Sequence, residues 1–188
     1  LFAAKYVSET VIVVSERDRK DVEAVVRALK PSIPVKYAIG GAEREDSVYN
    51  GLLLTAEDCD IVMVHDGSRP MAGPEWFDNA VSVMERADAA VYAVPVKDTV
   101  KLREDAETTE PQRLQTLDRS RLIAVQTPQI FRRSVLKKAH EYAKEKGFSG
   151  TDDASLVEAC GVPIVVLNGD ERNLKVTTPD DIRVLEFY

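Results

Sequence analysis

The stretch Asp60-Ile61-Val62-Met63-Val64-His65-Asp66-Gly67-Ser68-Arg69-Pro70 decides the reading of the fold. Ile61 to Val64 is a continuous apolar run, the pattern of a strand buried on both faces in a parallel sheet. It stops in His-Asp-Gly-Ser-Arg-Pro, charged residues with a turn glycine and a closing proline. Ligands of open α/β sheets bind beyond the carboxyl ends of strands, so the cluster is a site candidate. Solvated charges at an ordinary strand exit would read the same way.

Outward from that stretch, strands alternate with helices. Val11–Val14, Val35–Ile39, Ala89–Val94 and Pro163–Leu167 read as strands. Val22, Val25, Val26 and Leu29 recur at helical spacing behind a cap at Ser15 or Asp18. A second helix carries Val48, Leu52 and Leu53, and a third, opened by Pro74, carries Phe77, Ala80, Val81 and Met84. Further helices are expected at about residues 132–146 and 151–160, the latter capped by Thr151 and closed by Gly161. Asn173–Thr177 reads as a short strand, and Thr178-Pro179-Asp180-Asp181 opens the last helix. The pattern predicts an α/β fold, a Rossmann-like, doubly wound, mostly parallel sheet with right-handed crossovers. Residues 102–121 break it, being polar and too long for an ordinary connection. They are expected to form a protruding arm, a hairpin or a mobile loop, anchored by Leu117 and Leu122 within residues 100–124. An arm of this kind stays ordered by packing on a partner, which points to a homo-oligomer.

Composition bounds the function. The 188 residues make one domain, and a net charge of −7 argues against a general nucleic-acid surface. No apolar run approaches the roughly 18 residues of a membrane span, and no signal peptide is visible. Cys59 and Cys160 form neither a metal spacing nor a disulfide framework, so they read as packing residues in a reducing cytoplasm. The sequence opens without Met, in Leu1-Phe2-Ala3-Ala4-Lys5-Tyr6, like the end of an amphipathic helix.

The candidate chemistry lies at strand exits. Gly40-Gly41 either lets a ligand approach the backbone, with Ser47 donating at the next helix, or simply makes a tight turn. Asp66 suits a divalent cation or a sugar hydroxyl, and Arg69 a phosphate, unless the two only pair with each other. Asp98 and Thr99 repeat the arrangement, with turn capping as their ordinary role. Thr127 precedes Pro128 at a strand end. Lys175 is either exposed on an edge strand or directed into an anion site. There is no Ser-His-Asp order, no histidine metal cluster and no GK[ST] loop. Acids, arginines, a lysine and threonines suit a phosphorylated, metal-bound ligand better than acyl transfer or redox chemistry.

Six stretches in order resemble the 2-C-methyl-D-erythritol 4-phosphate cytidylyltransferases. They are Gly-Gly-Ala-Glu-Arg-Glu-Asp-Ser-Val (40–48), His-Asp-Gly-Ser-Arg-Pro (65–70), Pro-Val-Lys-Asp-Thr-Val-Lys (95–101), Gln-Thr-Pro-Gln-Ile-Phe (126–131), Thr-Asp-Asp-Ala-Ser-Leu-Val-Glu (151–158) and Asn-Leu-Lys-Val-Thr-Thr-Pro-Asp-Asp (173–181). The resemblance implies a nucleotidyltransferase fold whose arm embraces a second subunit, CTP and a sugar-alcohol phosphate as substrates, and Mg²⁺ as cofactor. It implies that Gly41, Ala42 and Ser47 face cytosine and ribose. Asp66, Arg69, Thr99 and Thr127 would hold the methylerythritol phosphate, with Asp66 also a candidate metal neighbour. Arg119 would reach into the partner's site, and Lys175 would lie beside the reacting phosphates. The family places a first strand and a glycine-rich loop, with an arginine and a lysine for the triphosphate, ahead of the point where this sequence opens. Residues 1–188 hold no match to them, so a natural chain longer by a few tens of residues is expected. Rival readings are a ribitol-5-phosphate cytidylyltransferase, a catalytically inactive dimeric relative and, lacking its glycine fingerprint, a nicotinamide-dependent oxidoreductase.

Overall fold

A computed structural model of the chain describes residues 2–188. The expected helix end at residues 1–6 is not observed: residues 2–6 form turns and bends, and Leu1 lies outside the described residues. Thereafter the elements alternate as the hydrophobic periods predict. They are β1 (Thr10–Val14), α1 (Arg19–Leu29), β2 (Val35–Ile39), α2 (Arg44–Leu53), β3 (Ile61–Val64), α3 (Pro74–Val83) and β4 (Ala89–Pro95). A hairpin of β5 (Lys101–Arg103) and β6 (Leu114–Thr116) follows, then a 3-10 turn at Arg119–Arg121 and the long β7 (Ile123–Arg132). The chain closes with α4 (Arg133–Lys146), α5 (Asp153–Ala159), β8 (Val165–Asn168) and α6 (Pro179–Leu185).

The main sheet has the order β3-β7-β4-β8, and β1 and β2 form a separate parallel pair. β4 and β8 are parallel, while β7 runs antiparallel between β3 and β4. The arm explains that reversal. The chain leaves the carboxyl end of β4, folds back through the hairpin, and re-joins the sheet at the end it left.

Period-2 alternation along the central strands feeds two cores. Ala89, Val91 and Phe131 pack with Leu136, Ala139, Leu156 and Val157 of α4 and α5. Ala90, Tyr92 and Ile130 face the other way, onto Ala80, Val83 and Met84 at α3. Both faces of the sheet are therefore covered, as double winding requires. Each fully buried aliphatic or aromatic side chain contributes roughly 1.5–3 kcal/mol.

Four further expectations change. Ile61–Val64 is half-buried rather than enclosed, because β3 pairs only with β7 and keeps an open edge among the described residues. Asn173–Thr177 is extended loop, not strand, since its backbone bonds go to neighbouring loops. The cap of α5 is Asp152 rather than Thr151, its carboxylate accepting from the Ser155 N–H at 2.9 Å. Cys59 is half-buried, and burial pushes its thiol pKa up, but Cys160 is exposed and packs no core. Leu117 and Leu122 are half-buried anchors, while every residue of β5 and β6 is exposed. No helix among the described residues is long and apolar enough to cross a membrane.

Candidate active site

The loop after β3 carries the centre. The β4–β7 register skips Thr127 and Pro128, a bulge that re-aims Thr127 toward that loop. The Thr127 hydroxyl accepts from the Asp66 N–H at 3.0 Å and lies 3.0 Å from His65 Nδ1. On its other side the His65 ring meets the Arg69 carbonyl through Nε2 at 3.0 Å. Only one assignment of protons serves every group: Nε2–H donates to the carbonyl, and Nδ1 accepts from the threonine hydroxyl. Burial pulls the His65 pKa below 6.5, consistent with that neutral ring.

A second loop, from Gly169 to Val176, locks onto the first. Buried Asn173 donates through Nδ2 to the Thr127 carbonyl at 2.9 Å, and its own carbonyl accepts from Arg69 Nη1 at 2.7 Å. The Val176 N–H donates to the Ser68 carbonyl at 2.8 Å. Gln126 and the Asp170 backbone exchange two further bonds, at 2.9 and 3.3 Å. This lacing brings Lys175 to the centre although it stands far from the β3 loop in sequence.

Three cations therefore surround one carboxylate. Lys175 Nζ lies 2.9 Å from Asp66 Oδ2, Arg69 Nε 3.6 Å from the same oxygen, and Arg44 Nη2 3.9 Å from Oδ1. Burial by itself would raise the Asp66 pKa. The Lys175 hydrogen bond and the charges of Lys175, Arg44 and Arg69 override it and hold the carboxyl below 3.8. Arg69 Nε and Arg44 Nη1 are buried donors without a hydrogen-bond partner. Buried donors of that kind call for an acceptor, and a phosphate supplies several. On a chain of net charge −7 this is a local basic pocket.

The α2 N-terminus completes the site. The Gly41 N–H donates to Ser47 Oγ at 3.0 Å, and that hydroxyl donates to the Glu43 carbonyl at 3.2 Å. A Cβ on Gly41 would fall 2.1 Å from Asp46 Cβ, so the turn admits only glycine there. Gly41 and Ala42 are exposed just ahead of the helix start.

The structure thus joins Asp66, Arg69, Thr127 and Lys175 in one bonded cluster. Thr127 is only 4% exposed, with its hydroxyl already engaged, and it bears on the site through Asp66 and His65. Thr99 lies on an exposed segment after β4 and bonds to none of these residues among the described contacts. Arg119 is exposed on the arm and donates to the Lys97 carbonyl at 2.5 Å. Sequence reasoning passed over Arg44, Asp153 and His140. Arg44 Nη2 lies 2.8 Å from Asp153 Oδ2, and His140 Nε2 lies 3.2 Å from Asp153 Oδ1. The signals were present: an arginine at the first position of a helix, where the dipole disfavours a cation, and a histidine at Leu136–Ala143 spacing on an inward face.

Among the described residues no three His, Cys, Asp or Glu side chains gather into a metal site. Asp66, a lone carboxylate among cations, fits an ion that arrives with phosphates and needs one protein ligand. The Thr127–His65 contact has the outline of a nucleophile and its base. Its hydroxyl is buried beneath Asp66, however, which leaves charge and positioning as what the site offers.

Comparison with known proteins agrees. The model of the family 2-C-methyl-D-erythritol 4-phosphate cytidylyltransferase (IspD) matches residues 1–188. The chain is 45% identical over 175 residues to the enzyme of that name from Bacillus pumilus, covering 93% of this chain and 74% of that one. It is 39% identical over 185 residues to the one from Caldanaerobacter subterraneus, covering 98% and 80%. The crystal structure of 4-diphosphocytidyl-2C-methyl-D-erythritol synthase from Anaerococcus prevotii superposes with a TM-score of 0.89 at 28% identity, covering 99% of this chain and 80% of that one. This chain belongs to the 2-C-methyl-D-erythritol 4-phosphate cytidylyltransferase family of nucleotidyltransferases.

Proposed function

We propose that the protein joins CTP to 2-C-methyl-D-erythritol 4-phosphate, giving 4-diphosphocytidyl-2-C-methyl-D-erythritol and pyrophosphate. The observation that carries this reading is the convergence of Lys175, Arg69 and Arg44 on Asp66, with two buried guanidinium donors lacking acceptors. The reaction needs no general base, because the substrate phosphate is already anionic. One of its oxygens attacks the α-phosphorus of CTP in line, the bond to the bridging α–β oxygen breaks, and that oxygen leaves with the electron pair on pyrophosphate.

Gly41, Ala42 and Ser47 take cytosine and ribose, Ala42 through its backbone. Arg69 and Thr99 take the methylerythritol phosphate, and Thr127 serves it by fixing Asp66. Lys175 stabilises the charge that accumulates as the α-phosphorus becomes five-coordinate. Asp66 is the residue that would hold Mg²⁺, which would supply neutralisation of the triphosphate charge. Two copies pair through the arm, each lending Arg119 to the other's site. The full exposure of β5 and β6, with Leu102 and Leu114 each 55% exposed, supports such a partner.

The test is pyrophosphate release from CTP and Mg²⁺ by the protein, with methylerythritol phosphate and ribitol 5-phosphate in parallel. Release with the first alone is expected. Release with ribitol phosphate alone would keep the chemistry and replace the substrate, and release with neither would refute the reading.

A further inference from the structure

The active cluster continues inward along a column of buried polar groups that the proposed chemistry does not use. Asp153 opens α5 and is wholly buried. Its Oδ1 lies 3.2 Å from Nε2 of His140, which is itself 6% exposed and packs its ring 5.6 Å from that of Tyr49. Its Oδ2 faces Arg44 Nη2 at 2.8 Å. A carboxylate this deep is costly to bury unless it holds a cation in place, and the cation it holds is the first residue of α2. Arg44 in turn faces Asp66 at Oδ1, the oxygen that neither Lys175 nor Arg69 engages.

We propose that Arg44 is a positioning residue: braced by Asp153 and His140, it places a fixed positive charge beside the second oxygen of Asp66 and so orients that carboxylate. Lys175 and Arg69 meet Oδ2 alone, so among the described residues the only cation on the Oδ1 side of the carboxylate is Arg44, at 3.9 Å. Lysine keeps the charge but not the planar, braced guanidinium whose Nη2 faces Asp153 at 2.8 Å and Asp66 at 3.9 Å. Arg44 also lies one turn of chain from Gly41 and Ala42. It therefore links the segment that meets the nucleotide base to the carboxylate at the phosphates. This inference rests on the cytidylyltransferase reading of the site.

The experiment compares Arg44→Lys, Asp153→Asn, Asp66→Asn and the Arg44→Lys/Asp66→Asn double variant, reading kcat, both KM values and the calorimetric Kd for CTP. Arg44→Lys should lower kcat by about tenfold or more while leaving both KM values little changed. Asp153→Asn should reproduce that profile. The double variant should be no slower than Asp66→Asn alone, since Arg44 works through Asp66. A purely structural role would not produce that non-additivity. Additive losses in the double variant, a rise in the KM for CTP with kcat kept, or wild-type kcat in Asp153→Asn would each overturn the proposal. Should Asp153→Asn fail to fold, Arg44→Lys and the double variant decide the matter, since the Arg44 side chain is 37% exposed and substitutable. An active wild-type enzyme separates this test from that of the function. If wild type releases no pyrophosphate with either sugar phosphate, that failure belongs to the function, and crystal structures of wild type and Arg44→Lys decide the inference: a turned Asp66 carboxylate supports it and an unmoved one overturns it.

Discussion

The loops at residues 65–70 and 169–176 and the arm at residues 100–124 all leave strand ends, yet they are built on opposite principles. The two loops are tied to the sheet and to each other through Thr127, Asn173, Arg69 and Val176, with partners far away in sequence. The arm is tied mainly to itself. Lys101 bonds Thr116 at 2.6 Å, the Asp105 N–H bonds Gln112 at 2.9 Å, and Asp118 caps its own 3-10 turn. The difference teaches where the protein invests its rigidity. Under the proposed reaction, charges that must stand at a fixed place relative to a phosphate are locked by the fold, which avoids reorganisation during reaction. In the proposed dimer, a group offered to another copy would need only a stable local scaffold.

Substituting the two regions should separate these roles. Lys175→Ala removes a cation from the locked centre and should lower kcat by about a hundredfold to a thousandfold, with CTP binding largely kept. Steady-state kinetics beside calorimetry checks this, and unchanged turnover would make Lys175 a structural lysine. Asn173→Ala leaves the buried Thr127 carbonyl without its donor and should cost about 1–3 kcal/mol of folding stability, read by chemical denaturation. Arg119→Ala touches only the exposed arm. It should raise the KM for the sugar phosphate and shift stability by no more than about 0.5 kcal/mol. Mixed dimers of Arg119→Ala with an Asp66 variant should regain one working site, and no regain would mean that the arm does not act across subunits.

The smallest effect concerns His65. Its folded pKa is depressed below 6.5 by burial, so the unfolded chain binds more protons than the folded one between the two values. The stability it contributes is present above 6.5 and is lost as pH falls from there toward the folded value, with a slope of at most about 1.4 kcal/mol per pH unit. His65→Gln should flatten denaturation midpoints across that window, and an unaltered slope would assign the loss to other groups.

The strand-helix order was legible because hydrophobic period is a local signal, and β2 falls on the residues expected, Val35–Ile39. Asp66 and Arg69 were legible as polar residues at a strand exit, where an α/β sheet puts its ligands, whereas Thr127, expected at a strand end, lies inside β7 at the bulge, and Lys175, expected on a strand, lies on a loop. What stayed hidden depends on contacts between distant segments. The antiparallel course of β7 follows from the arm's return and leaves no trace in its apolar run. The pairing of Asp153 with Arg44 and His140 needs α2, α4 and α5 assembled. Asn173 read as a strand residue because its real partners, Thr127 and Arg69, lie 46 and 104 positions away.

In the proposed reaction the site works by charge and position and forms no covalent bond to the substrate. The rival is covalent: Thr127, paired with His65, attacks the α-phosphorus first and hands the cytidylyl group on. Stereochemistry at phosphorus distinguishes the two directly. With CTP made chiral by sulfur at the α-phosphate, one in-line displacement by methylerythritol phosphate inverts the configuration, and that is the predicted result. Retention would require two displacements and a cytidylylated enzyme, and would contradict the account.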